Sequence, residues 1–297
     1  MIKTIEDRID IYRPERVYWE KSLEYAKSLK PQTLELPKFH CFWRVPKDLT
    51  GKHVAVLKSI IVNNPKGTEI NFWSNIDLSK NSLLSDISPY IQFRIWNVYE
   101  ESKGTILENS KILNNISDSL CYLEGDLFRL LVLHKYGGFY IDMDVLVLRD
   151  MSPINHLEFL YQWGTTGFNI NEPTFHMNGA VMRLEKNSPL SLEFLEKILE
   201  NPGRGGSTDW GTVLYSKINK NDLLVLPCMW FNSEWGYAEA DNIPFKKANQ
   251  WFNLFDGAFA WHWHNRWDEE IEDGSKFQIL ESIHNKKFQN LIFKAVI

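Results

Sequence analysis

Two carboxylates stand one residue apart inside an apolar stretch, Phe139-Tyr140-Ile141-Asp142-Met143-Asp144-Val145-Leu146-Val147-Leu148. Burying one carboxylate at the end of a core strand is costly, and burying two costs more unless a positive charge compensates them. A divalent cation meets that need. Mg²⁺ and Mn²⁺ take carboxylate oxygens, and Mg²⁺ commonly also takes substrate phosphate. On an extended chain Asp142 and Asp144 aim the same way, because the strand period is two. The plainer alternative is that the pair starts a turn, where Asp is common. The strand-like run Val145 to Leu148 weighs for the metal. Upstream, Asp126 and Arg129 are three apart in a helical pattern and share a face. By themselves they read more readily as a surface ion pair, worth little, and only their fixed spacing to Asp142 favours a functional role.

The elements that must position these residues follow from periodicity. Leu120, Leu123, Leu127, Leu130 and Leu131 recur at helical spacing over 118–135, which predicts a helix ended by Gly137-Gly138. The strands predicted before it are 37–43, 69–73 and 91–98; those after it are 159–163, 177–184 and 223–226. Helices are expected over 13–30, 52–63, 76–84, 189–200 and 275–297. Alternation of strands and helices predicts an α/β architecture with the Asp-x-Asp at a strand end. His40 and His134 read as packed, hydrogen-bonded histidines.

Asp142-x-Asp144, preceded by Lys135-Tyr136-Gly137-Gly138, resembles the DXD sugar-nucleotide transferases of the GT-A fold. Leu123-Glu124-Gly125-Asp126-Leu127-Phe128-Arg129 resembles their "S-D-x-x-R" helix, and Asp126 lies sixteen residues before Asp142. That spacing is similar to family 32 transferases, α-1,4-galactosyltransferases and, more distantly, the clostridial glucosylating toxins. The resemblance implies a mixed, mostly parallel central sheet flanked by helices, with a Rossmann-like nucleotide-sugar-binding half. It places the domain at 36–297 behind a helical extension at 1–35. It implies that Asp126 and Arg129 hold the sugar hydroxyls of the donor.

The same resemblance assigns further residues. Pro37 to Trp43 is similar to the family's "I-P-K-x-I-H-x-x-W" opening, whose aromatic stacks on the base; Trp43 takes that place with Phe42 beside it. Phe42 reads equally as core. Asn75 follows the second strand and is a candidate for ribose or base, or a helix cap. Asn178 and Gly179 resemble the "N-x-x-M/I-x-A" strand beside the active site. Thr208-Asp209-Trp210 stands where "T-G-P" is usual, so Asp209 either contacts sugar or caps a helix. Ala260 to Trp267 resembles the late "A-x-H-x-W-x-x-S/K-W" motif, in which the His completes the metal shell or touches the diphosphate. His262 aligns best and His264 stands one residue on, where Trp is usual. Imidazole suits Mn²⁺ beside carboxylate; packing is the alternative for both. Arg266 is a candidate for the β-phosphate and Trp267 for closing over the donor, with Met143 between the carboxylates. Asn201 to Ser207, with three glycines, is a candidate lid. Trp230, Phe231, Trp235 and Tyr237 are either an acceptor surface or a hydrophobic floor.

The implied activity is a metal-dependent hexosyltransferase using Mn²⁺ or Mg²⁺. It would take a nucleotide-sugar donor, UDP-sugar favoured and GDP-mannose possible, and a glycan or protein acceptor, with retention of configuration. Phe139 to Val145 also resembles the D-x-D loop of haloacid-dehalogenase phosphatases, which opens that fold instead of sitting mid-chain. A silent lectin-like binder is favoured only by the twelve tryptophans. Composition is consistent with one large domain or two small ones in 297 residues. A net charge of −5 gives no basic footprint for nucleic acid. Three scattered cysteines, Cys41, Cys121 and Cys228, form no disulfide framework. No signal peptide or membrane span is legible, so a cytoplasmic enzyme of bacterial, viral or host-delivered origin is expected.

Overall fold

Apolar runs and their turn residues assemble into ten strands among the described residues. The structure, a computed structural model, describes residues 3–13, 15–114, 116, 122–164, 176–203, 209–219, 223–236, 243–247 and 255–296. The strands are β1 (Lys3–Thr4), β2 (Lys38–Phe42), β3 (Glu69–Ser74), β4 (Gln92–Ile95), β5 (Gly138–Ile141), β6 (Val145–Val147), β7 (Phe159–Gln162), β8 (Met177–Leu184), β9 (Leu224–Leu226) and β10 (Ala260–His262). The helices are α1 (Arg16–Ser28), α2 (Gly51–Asn63), α3 (Val98–Ser102), α4 (Tyr122–Tyr136), α5 (Pro189–Glu200), α6 (Thr212–Tyr215), α7 (Ser233–Gly236) and α8 (Lys276–Val296).

Eight strands form one sheet in the order β1-β9-β7-β8-β5-β2-β3-β4. The pairs β2/β3, β3/β4, β2/β5, β7/β9 and β1/β9 are parallel, while β8 runs antiparallel to both β5 and β7. This is the mixed, mostly parallel α/β sheet that the sequence implies. A second sheet pairs β6 with β10 antiparallel, with His262 opposite Val145. The residues before helix α1 add β1 to the edge of the main sheet, and the buried Tyr12 donates its hydroxyl to the carbonyl of Val225.

Three details position the site. Gly137 closes α4 in a left-handed conformation, φ +66°, and its N–H reaches the carbonyl of Leu133 at 2.9 Å. Gly138 follows at φ +103°, where a Cβ would stand 2.6 Å from the carbonyl oxygen of Lys38, so only glycine lets β5 lie beside β2. Ser59 and Asn63 of α2 serve the backbone of Val147, the serine Oγ accepting at 2.9 Å and the amide donating at 2.8 Å, which fixes β6 against that helix.

Some local expectations change. Asp142 to Asp144 is not one extended run: Val145 N–H bonds the carbonyl of Asp142 at 3.1 Å, turning the chain from one sheet into the other. The helix expected at 76–84 is one 3₁₀ turn at Ser82–Leu84, capped by Asn81. The end of the strand expected at 91–98 gives way to the short helix Val98–Ser102, whose Asn97 side chain accepts from the N–H groups of Tyr99 and Glu100. The seven buried tryptophans, Trp19, Trp73, Trp96, Trp210, Trp230, Trp261 and Trp263, are packing. Trp43, Trp163 and Trp267 are half-buried and reach a cavity.

Candidate active site

The C-terminal ends of β2 and β5, the start of α2 and one face of α4 surround a cavity of about 910 Å³. That is the size range of small-ligand sites, and its place at strand ends is where α/β sheets bind ligands.

Asp142, Asp144 and His262 offer ligand atoms that all lie within 4.8 Å of one another. Asp144 Oδ2 lies 3.1 Å from His262 Nε2 and accepts the Asn265 N–H at 2.8 Å. His262 is presented by the β10–β6 register, and its Nδ1 stands 3.0 Å from the Tyr161 hydroxyl. Burial pushes Asp144 up, but the His262 imidazole, His264 and the Asn265 N–H outweigh it and hold the carboxyl down to about 2. Asp142 moves the other way: burial and then the Asp144 charge raise it, against the pull of Arg129. Two carboxylates and an imidazole are oxygen and nitrogen donors that fit Mn²⁺ or Mg²⁺, and a cation there would relieve the like-charge pair.

His264 stacks beside His262 with ring centroids 3.9 Å apart, but its Nε2 lies 3.2 Å from the Asn232 side-chain oxygen. His264 and Asn265 both take left-handed backbone, φ +60° and +58°, which swings the Asn265 N–H onto Asp144. His264 lines the cavity outside the three-residue cluster.

Asp126 and Arg129 form no surface pair, for their side chains are 7% and 12% exposed. Arg129 Nη2 lies 3.3 Å from Asp126 Oδ1 and 3.3 Å from Asp142 Oδ1, so one guanidinium ties the helix to the Asp-x-Asp. Its Nη1 meets the Tyr215 hydroxyl at 3.5 Å, and its plane covers the Tyr140 ring at 4.8 Å. Tyr140 donates its hydroxyl to Asp142 Oδ1 at 2.5 Å. Tyr140 was legible as the residue two before Asp142 on the same strand face. Tyr215 was not, since it comes from α6. Gly179 of β8 lets Tyr215 and Arg129 approach: a Cβ there would lie 2.3 Å from the Tyr215 oxygen and 3.0 Å from Arg129 Nη1.

The other end of the cavity is aromatic. Trp43 and Trp267 stand with ring centroids 5.1 Å apart, and both contact His53 of α2, which the sequence reading missed. Phe42 stacks on Phe128 at 4.6 Å and is a largely buried part of the cavity wall. Met143 and Asn178 line the wall; the Asn178 oxygen also accepts the Ala180 N–H at 2.7 Å. Arg44 reaches the wall too, paired to the buried Glu124, which also accepts from Trp96.

Three expected residues stand elsewhere. The Asn75 amide is committed to Val45, accepting its N–H at 2.8 Å and donating to its carbonyl at 2.9 Å, so it shapes the loop after β2 instead of facing ligand. Arg266 pairs with Glu269 at 3.6 Å, and Asp209 is followed by the buried Trp210; neither is among the described residues of the wall. Asp209 does not cap α6 either, whose N-cap is Gly211. Trp230 and Phe231 are fully buried and form a floor under β10. Residues 204–207 of the expected lid, Thr208 and Tyr237 lie outside the described residues, as does the Trp235 side chain.

Residues 52–160, which contain Asp126, Arg129 and the Asp142-x-Asp144 pair, match the family model described as glycosyltransferase sugar-binding region containing DXD motif. A stretch of 72 residues, 24% of the chain, is 40% identical to an uncharacterized Arabidopsis thaliana protein, of which it spans 10%. Among solved structures, the apo form of the glycosyltransferase GlyE of Streptococcus pneumoniae TIGR4 superposes with a TM-score of 0.52 at 10% identity. That match covers 88% of this chain and 64% of GlyE. The bifunctional glycosyltransferase WbbM superposes at 0.51 with 12% identity, over 88% of this chain and 51% of its own. At those identities the likeness is one of fold. Residues 52–160 are thus similar to a glycosyltransferase sugar-binding region with a DXD motif, and the chain shares the fold of these glycosyltransferases.

Proposed function

We propose that the protein is a metal-dependent glycosyltransferase that moves a hexose from a nucleotide-sugar, with a UDP-sugar favoured, to a glycan or protein acceptor. The observation that carries this reading is the meeting of Asp142, Asp144 and His262 within 4.8 Å at one cavity that also holds the Asp126–Arg129 pair. The family match over residues 52–160 and the fold favour this reading over the phosphatase, and the intact carboxylate cluster weighs against a silent binder.

In this reading Asp142, Asp144 and His262 hold Mn²⁺ or Mg²⁺. The ion would supply Lewis-acid compensation for charge gathering on the diphosphate as it leaves. Trp43 and Trp267 wall the nucleobase, with Phe42 and Met143 flanking them. Asp126 accepts from sugar hydroxyls, and Arg129 orients both Asp126 and Asp142. Tyr140 and Tyr215 fix the guanidinium, and Asn178 faces the sugar or the acceptor. His264, turned towards Asn232, supports the backbone bend that aims the Asn265 N–H at Asp144. Retention by front-face displacement belongs to the proposal, inherited from the family resemblance.

No described helix is long and apolar enough to cross a membrane. The test is donor hydrolysis without acceptor, over a panel of UDP- and GDP-sugars with Mn²⁺. Release of nucleotide from one donor, abolished by chelator, is the expected outcome. No nucleotide release and no donor binding across the panel would overturn the reading.

A further inference from the structure

Two neighbouring side chains at the start of α2 are buried, and they are used differently. Lys52 donates its Nζ to the carbonyls of Arg266, Trp267 and Glu269 at 2.8, 2.9 and 2.6 Å, so all three ammonium protons are taken. His53 is 1% exposed and only half used. Its Nδ1 lies 2.9 Å from the backbone nitrogen of Thr50. A backbone N–H can only donate, so Nδ1 holds the lone pair and the ring proton sits on Nε2. That Nε2 is buried and has no hydrogen-bond partner among the described residues. Burial lowers the imidazole to about 4, so it is neutral near pH 7. A buried donor left unpaired is costly, and each such group in a native protein calls for an explanation.

The surroundings of His53 say what kind of acceptor would reach it. The ring lines the cavity, lies parallel to Trp267 at 4.2 Å with 10° between planes, and meets Trp43 near-perpendicularly at 4.0 Å. Two indoles and a neutral imidazole make a flat, apolar, π-rich slot, which suits an aromatic heterocycle and not a phosphate. Lys52 holds the backbone that carries Trp267, so the slot has a fixed wall.

We infer that His53 determines nucleobase specificity, donating its Nε2–H to O4 of uracil or O6 of guanine in the donor, so that the site takes uracil or guanine and disfavours cytosine or adenine. The inference rests on the nucleotide-sugar reading proposed above. Where uracil offers O4, cytosine offers an amino group, and adenine does the same against guanine O6. A fixed N–H facing an amino group makes no bond and leaves two donors unpaired.

The test is calorimetric binding of UDP, CDP, GDP and ADP to the whole protein with Mn²⁺. Two substitutions separate the ring nitrogens. His53→Asn keeps an acceptor near Nδ1 for the Thr50 N–H and removes the Nε2 donor. His53→Gln keeps an N–H near Nε2 and removes that acceptor. Both lose the stacking on Trp267. Wild type is expected to bind UDP about tenfold or more tighter than CDP, and GDP over ADP by a similar factor. The Asn variant should lose the preference, and the Gln variant should keep it while melting at a lower temperature. Equal wild-type affinity for UDP and CDP, or a full preference in the Asn variant, overturns the role of His53 and leaves the nucleotide-sugar reading standing. Wild type that binds none of the four nucleotides overturns both. Should the Asn variant not fold, the wild-type comparison and the Gln variant decide the matter.

Discussion

The hydroxyl of Tyr161 on β7 stands 3.0 Å from Nδ1 of His262, and both groups are buried. That contact fixes the orientation of the His262 ring: with the proton on Nδ1 and donated to the Tyr161 oxygen, Nε2 keeps its lone pair for a cation held beside Asp144. Tyr161→Phe removes the orienting bond with little change in volume. Metal affinity is expected to fall about 10- to 100-fold, with turnover recovered at high Mn²⁺. A metal titration of donor hydrolysis checks this, and an unchanged titration midpoint would count against His262 as a ligand.

Asp144→Asn is expected to abolish metal-dependent turnover while leaving the fold intact. The carboxyl is held down to about 2, so it is ionised throughout the working pH range and its charge is what the substitution removes. Circular dichroism and a hydrolysis assay read the two halves of the statement. A fully active variant sinks the metal assignment.

Gly179→Ala should lower activity more than stability. The added Cβ would sit 2.3 Å from the Tyr215 oxygen and 3.0 Å from Arg129 Nη1, so both side chains must shift at the point where Arg129 holds Asp126 and Asp142. Misplacing such a group by about 1 Å can cost about 100-fold in rate. Combining it with Tyr215→Phe, which removes the crowding oxygen, should recover part of that loss. Equal rates for the single and double variants would place the strain elsewhere.

Lys52→Met leaves three loop carbonyls without their donor. An unsatisfied buried polar group costs about 1–3 kcal/mol, and water reaching the loop will offset part of it. A drop in the denaturant midpoint is expected, together with weaker nucleotide binding, because the same bonds hold Trp267 against His53. Binding that is unchanged despite lower stability would separate the loop from the slot.

Stability should fall on mild acidification. Burial lowers His40 to about 3 and both His53 and His284 to about 4, against an ordinary value of 6.5. Between the folded and unfolded values the unfolded chain binds more protons, so stability rises with pH there. The contribution is fully present above about pH 6.5 and is lost as pH falls towards 4. One unit corresponds to about 1.4 kcal/mol, so the combined loss by pH 4.5 amounts to several kcal/mol. Urea midpoints at pH 7, 6 and 5 should decline in that order; a flat series would mean that these histidines are hydrated in the folded state.

Local chemistry determined what the sequence made legible by itself. The Asp142-x-Asp144 pair, the leucine period of α4, and Gly137-Gly138 as its stop are properties of short segments, where a period of 3.6 or 2 and a φ that only glycine tolerates act without distant partners. The strand and helix alternation carried the fold class for the same reason. Tertiary structure decided the site. His262 reaches Asp144 across 118 residues because β10 pairs with β6 in one register; a slip by one residue would turn the imidazole to the other face. Arg129 reads as a surface partner of Asp126 until α4 packs on β5 and buries it against Asp142. Asn75 and Arg266 have the right chemistry for a donor, yet the folded chain uses Asn75 to fix the Val45 loop and pairs Arg266 with Glu269. His53 looks like one more polar residue in a helix start until Trp43 and Trp267 close over it. A side chain's type is written in the sequence, but whether its polar atoms are spent on the protein or left for a ligand depends on which distant groups arrive beside it.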